Sequence, residues 1–122
     1  MKHVLMAAGA INAALAVGAG AFGAHGLRER LAPRALEIFE TGARYHMVHA
    51  LGMVLCAVIA AGGGIAGART AGWILQAGIV IFSGSLYLLA VTDVKILGAI
   101  TPLGGLAFLV GWLWLAVSAL RA

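Results

Sequence analysis

Arg44-Tyr45-His46-Met47-Val48-His49-Ala50 marks the point where the chain leaves its only cluster of charges and enters an apolar run. Upstream of it, Arg28, Arg30, Arg34 and Arg44 are interleaved with Glu29, Glu37 and Glu40. Downstream, no charge occurs until Arg69. The same contrast recurs on either side. Val4 to Ala24, Thr70 to Val91 and Pro102 to Leu120 are all uncharged. The first of these measures about 31 Å as a helix, enough to cross the hydrocarbon core of a bilayer.

Composition agrees with this reading. The 122 residues are 63% hydrophobic and 10% charged, with a mean hydropathy of +1.06, whereas roughly a quarter of the residues of a soluble domain are charged. Closed barrels need alternating strands and turn residues, which this sequence lacks. The expectation is one integral membrane domain over residues 1–122: an all-α bundle of four transmembrane helices at 4–24, 45–63, 70–91 and 102–120. A short amphipathic interfacial helix at about 33–42 is expected between the first two. Its apolar stripe is Leu27, Leu31, Ala35, Ile38 or Phe39, and Gly42. Pro33 suits its first turn, and Glu40 and Arg44 stand at helical spacing for an ion pair. Such a helix lies in the headgroup plane, with Arg28, Arg30, Arg34 and Arg44 in contact with lipid headgroups; the plainer alternative is a solvated connecting helix.

Other local signals set the boundaries. Lys2 ahead of an apolar run that closes with Ala21-Phe22-Gly23-Ala24 has features of a secretory leader, but the run is long for one and reads as a span. Ala10, Ala14 and Gly18 form a small-residue stripe expected to admit a neighbouring helix. Gly62-Gly63-Gly64 reads as a turn, and Thr101-Pro102 reads as an N-cap followed by proline at the first helical position. Trp112 and Trp114 read as packing residues or interfacial anchors.

The net charge of +4 is not a nucleic-acid footprint, because the basic residues flank apolar runs, where they set topology. Four spans place Lys2, Arg69 and Arg121 on one side and Arg28, Arg30, Arg34, Arg44 and Lys95 on the other. The positive-inside rule then puts both termini outside. Cys56 is the only cysteine, so no internal disulfide forms.

The polar side chains gather toward the amphipathic end: His25 after the first span, Tyr45, His46 and His49 at the start of the second, Ser83 and Ser85 in the third, and Thr101 opening the fourth. These seven form the candidate cluster. Tyr45, His49, Gly52, Cys56 and Ala60 share a helical face rich in small residues, which points His49 into the bundle. Asn12 reads as a hydrogen bond to a neighbouring helix.

Three readings fit these residues. In the first, neutral imidazoles hydrogen-bond to Ser83, Ser85, Tyr87 or loop carbonyls, since unpaired polar groups are costly in hydrocarbon. In the second, His46 or His49 with His25 ligates a metal or haem, but no carboxylate completes a ligand set. In the third, histidine titrates along a proton or solute path. No Asp or Glu lies in the middle of a span, which argues against a four-helix proton-coupled drug exporter, whose chemistry needs a membrane-embedded carboxylate. Ser83-Gly84-Ser85 lacks the glycine pattern of a nucleophile elbow, and no catalytic residue is assigned.

Gly20-Ala21-Phe22-Gly23-Ala24-His25-Gly26-Leu27, Tyr45-His46-Met47-Val48-His49-Ala50-Leu51, Phe82-Ser83-Gly84-Ser85-Leu86-Tyr87 and Ile100-Thr101-Pro102-Leu103-Gly104-Gly105 occur in this order. In them the chain resembles the family called domain of unknown function 423, which is similar to eukaryotic transmembrane protein 256. The resemblance covers nearly the whole chain. It implies a four-helix bacterial inner-membrane protein and brings with it no activity, cofactor or catalytic residue. The resulting expectation is a non-catalytic structural or interaction protein. Its partners would be membrane lipids and a second copy or another membrane protein, with no cofactor and no nucleic acid. The alternatives are a small-solute or proton path, and a metal- or haem-binding protein.

Overall fold

The computed structural model describes residues 3–122; Lys2, one of the charges used to orient the chain, lies outside the described residues. Four long helices account for almost all of it: α1 (Val4–Gly26), α2 (Pro33–Gly62), α3 (Ala68–Thr92) and α4 (Ile96–Arg121). Each is long and apolar enough to cross a membrane, and no strand occurs among the described residues. The molecule is an all-α bundle of membrane-spanning helices. Its outer faces carry leucine and valine, such as Leu15, Leu51, Leu106 and Leu113, each more than half exposed, as helices facing lipid require.

Two helix boundaries differ from expectation, for one reason. The amphipathic segment at 33–42 is present, but it is not a separate element. It is the opening of α2, which continues without a break to Gly62. At about 45 Å, α2 is longer than the roughly 30 Å hydrocarbon core of a bilayer. Likewise α4 begins at Ile96, and Pro102 lies inside it. Thr101 is not an N-cap; its hydroxyl donates to the Leu97 carbonyl at 3.0 Å. Unwinding Ile96–Ile100 at the membrane boundary would strand several backbone groups, whereas Pro102 forfeits a single N–H bond. The Gly62–Gly64 turn is present, with Gly63 in the left-handed region at φ 76°, where glycine ends a helix without strain.

Helix pairs in sequence pack backbone to backbone: α1 on α2, α2 on α3, α3 on α4. Glycines make two of these approaches possible. A methyl on Gly9 of α1 would lie 2.8 Å from Val54 Cγ2 and 3.0 Å from its amide nitrogen on α2. A methyl on Gly104 of α4 would collide with the Phe82 backbone on α3. The inward face of α1 is therefore Leu5, Gly9, Asn12 and Ala16. The expected stripe of Ala10, Ala14 and Gly18 is instead exposed, and nothing lies against Gly18. Small size alone does not decide which face packs; here Asn12 does, because its amide is driven inward to find partners.

The main core joins Leu5, Met53, Cys56, Leu75, Ile79 and Phe108. A second cluster, Leu27, Phe39 and Ala90, closes the arginine end. Because α2 and α3 pack centrally, two lateral grooves remain, one between α1 and α3 and one between α2 and α4.

Candidate functional site

His46 and His49 are both on α2, nearly one turn apart, and 6% and 5% exposed. Three-residue spacing rotates the second ring about 60° from the first, enough to aim the two at different neighbours. His46 turns to the α1–α3 groove and His49 to the α2–α4 groove.

On the α1–α3 side the donors and acceptors order themselves. Asn12 Nδ2 lies 2.8 Å from the Ala8 carbonyl and 2.8 Å from Gln76 Oε1. The backbone carbonyl only accepts, so the amide nitrogen must face it, leaving Asn12 Oδ1 as an acceptor. Oδ1 is 3.0 Å from His46 Nε2, which therefore carries the proton and donates. His46 Nδ1 is then the acceptor for the Tyr87 hydroxyl, 2.9 Å away. The result is one directed chain, Tyr87 to His46 to Asn12 to Gln76, which ties α1, α2 and α3 together inside the membrane. Along α3 it extends from residue 87 to residue 76, about 16 Å.

Nearby, Ser83 is fully buried and donates to the Gly42 carbonyl on α2 at 2.7 Å. It ends a π-helical turn, Ile79–Ser83, midway along α3. Ser85 and Thr101 meet hydroxyl to hydroxyl at 2.5 Å, linking α3 to α4. Every fully buried side-chain nitrogen or oxygen among the described residues has a partner.

On the α2–α4 side the chemistry is aromatic. His49 stacks on Phe108 with centroids 3.5 Å apart and planes 6° apart, and Trp112 is tilted at 5.9 Å. Tyr45 packs on Phe82 at 4.8 Å. The single hydrogen bond of His49 runs from Nδ1 to the Tyr45 carbonyl at 2.7 Å, so Nδ1 is the donor and Nε2 faces outward without a partner among the described residues.

The seven candidate residues thus divide. His46 and Ser83 join the α1–α3 side, with Ser83 bridging α2 and α3. Ser85 and Thr101 form the α3–α4 link. His49 and Tyr45 line the other groove. His25 does not join any of these: it is exposed, in the π-helical turn Phe22–Gly26 at the end of α1. His25, His46 and His49 do not converge on one point, and no group of three His, Cys, Asp or Glu side chains suited to a metal occurs among the described residues. Arg28, Arg30, Arg34 and Arg44 are all exposed. The ion pair within the arginine segment is Arg34–Glu37 at 3.3 Å, not Glu40–Arg44, and both partners are too exposed for it to contribute much.

Two members of the directed chain were not grouped with the histidines by sequence reasoning. Asn12 is a lone amide in an apolar run, and Gln76 stands toward the termini end of its span. The available signal is that each is the only amide side chain in its apolar run, and each needs a partner there.

Fold and polar interior define a small polytopic membrane protein held together by interhelical hydrogen bonds. The chain belongs to the family described as "Protein of unknown function (DUF423)", which matches residues 19–105. It is 54% identical over 119 residues to the UPF0382 membrane protein YwdK of Bacillus subtilis, covering 97% of each chain. It is 49% identical to a UPF0382 membrane protein of Staphylococcus epidermidis, covering 97% of this chain and 96% of the other. To a third, SSP2132 of Staphylococcus saprophyticus, it is 47% identical, covering 97% and 98%. No solved structure matches significantly.

Proposed function

We propose that this protein is a non-catalytic structural or interaction protein of the bacterial inner (plasma) membrane. The observation that carries this reading is the directed chain from Tyr87 through His46 and Asn12 to Gln76. Each link is satisfied by the next, and the last two members are amides, which neither gain nor lose a proton near neutral pH. A proton relay through this chain would stop at His46. What such a chain does well is hold three helices in one register, because any other register strands polar groups in hydrocarbon.

Its contacts are then made from the outside. Arg28, Arg30, Arg34 and Arg44 favour anionic headgroups at one face, and both termini lie on the opposite, outer side by the balance of Lys and Arg. The apolar flanks engage lipid and a second copy or another membrane protein.

The test is reconstitution into liposomes loaded with a pH-sensitive dye. We expect proton flux equal to that of protein-free vesicles, together with a lower unfolding temperature for Asn12→Leu. Flux above the protein-free level that disappears in Asn12→Leu would overturn the reading in favour of a proton path.

A further inference from the structure

The α2–α4 groove holds a nitrogen of a buried histidine, His49 Nε2, that has no hydrogen-bond partner among the described residues. It is an open groove of about 530 Å³ along Tyr45, His49, Phe82, Pro102, Phe108 and Trp112, a volume within the range of small-molecule sites. Phe108 stands at the midpoint of α4, which runs from Ile96 to Arg121. The groove therefore opens sideways into acyl chains rather than water.

His49 is 5% exposed, and its orientation is set from both sides. Nδ1 donates to the Tyr45 carbonyl, and the ring lies flat on Phe108. In the neutral ring Nε2 then bears a lone pair directed at the groove, and no donor among the described residues meets it. The Tyr45 hydroxyl, in the same groove, likewise has no hydrogen-bond partner among the described residues. Acyl chains supply no donor, and an unfilled acceptor at this depth is costly. The lining sets the rings of Tyr45, Phe82, Phe108 and Trp112 beside Leu106 and Leu109, and such an aromatic surface favours a flat ring laid against it, edge-to-face or offset, over a flexible chain.

We infer that the α2–α4 groove is a lateral binding site for a membrane-soluble ligand with a flat, hydroxyl-bearing ring, a phenol or hydroquinone on a hydrocarbon tail. The ring hydroxyl donates to His49 Nε2, the Tyr45 hydroxyl meets the ligand's oxygen, and Phe82 and Trp112 contact the ring. The tail leaves between α2 and α4 into the bilayer. No bond is made or broken, and the site is separate from the hydrogen-bonded chain on which the proposed function rests.

The probes are 2-dodecyl-1-naphthol and its methyl ether, titrated into the protein in lipid nanodiscs and followed by quenching of tryptophan emission, since Trp112 lies in the groove, with dodecanol, which does not quench, read by its displacement of the naphthol. The naphthol should bind at least about ten-fold more tightly than the ether, which keeps the ring and loses the donor. It should also bind more tightly than dodecanol, which keeps a donor and loses the ring. His49→Phe should retain ether binding and abolish the naphthol's advantage.

Gly105→Leu is the second variant. Gly105 lines the groove, and a Cβ there would make only ordinary contacts with the Phe82 ring at 3.8 and 3.9 Å. It should fill the groove and remove binding of both ring probes while the unfolding temperature holds. Equal affinity for naphthol and ether, equal affinity for naphthol and dodecanol, or naphthol binding unchanged in folded Gly105→Leu would each overturn the inference.

Discussion

The α1–α3 and α2–α4 sides of the bundle use the same residue type in opposite ways. On the first, His46 is saturated: both ring nitrogens are hydrogen-bonded, one to Tyr87 and one to Asn12. On the second, His49 is held by one nitrogen and a stacking face, and the other nitrogen opens on a groove. Two histidines three residues apart resemble a ligand pair in the sequence, yet they work as separate devices. One closes the fold and the other leaves a position available. What separates them is the neighbour each meets: polar side chains from α1 and α3 in one case, aromatic rings from α4 in the other.

This asymmetry predicts a graded response to substitution. The largest effect is expected for His46→Ala, which opens a cavity and strands Asn12 Oδ1 and the Tyr87 hydroxyl, destabilising by roughly 2–4 kcal/mol. Thermal unfolding in detergent would measure it, and a loss no larger than that of His49→Phe would erase the distinction between the two sides. Next comes the coupling between Asn12 and His46. A double-mutant cycle with Asn12→Leu and His46→Phe should return about 1–2 kcal/mol, because each single change leaves the other side chain without its partner and the double change does not. Additive effects would mean that the chain is not a unit.

Tyr87→Phe removes only the terminal donor and leaves His46 Nδ1 empty, a cost of about 1 kcal/mol. His49→Phe should cost less than about 1 kcal/mol, since the aromatic contact with Phe108 survives and only the Tyr45 carbonyl loses a partner, one that is already bonded within its helix. Smallest is Arg34→Ala at the headgroup end, within about 0.5 kcal/mol, because the Arg34–Glu37 pair is 80% and 67% exposed and screened by water and salt.

Much of the architecture follows from local properties. Four charge-free runs of bilayer length cannot stay in water, and in lipid they must be helical to satisfy their own backbones. Gly63 ends α2 where the glycine triplet stands, and the arginines cluster at one end of the bundle, where they stay exposed. The helix starts were less legible. Thr101-Pro102 carries a valid local start signal, but the cost of unpaired backbone at the membrane boundary outweighed it. No signal separates the amphipathic segment from the second span, because no proline or turn interrupts Leu36 to Ala61.

The candidate site was legible in kind and not in arrangement. Sequence periodicity places His49 on the small-residue face and inward, and it is buried. It does not separate His46 from His49, nor attach Asn12 to Gln76, 64 residues away in the chain. It also selected the wrong stripe of α1: Ala10, Ala14 and Gly18 have the spacing, while Gly9 and Asn12 make the approach.

The sequence by itself determined that Arg44 to Ala50 crosses from charge into hydrocarbon, that four helices follow from such transitions, and that the polar residues within them must find partners. Only the tertiary structure decided which partners. Hydrophobicity and helical period are properties of a single segment, whereas a hydrogen bond between α1 and α3 depends on the rotation of both helices. That rotation is set by every side chain packed between them at once.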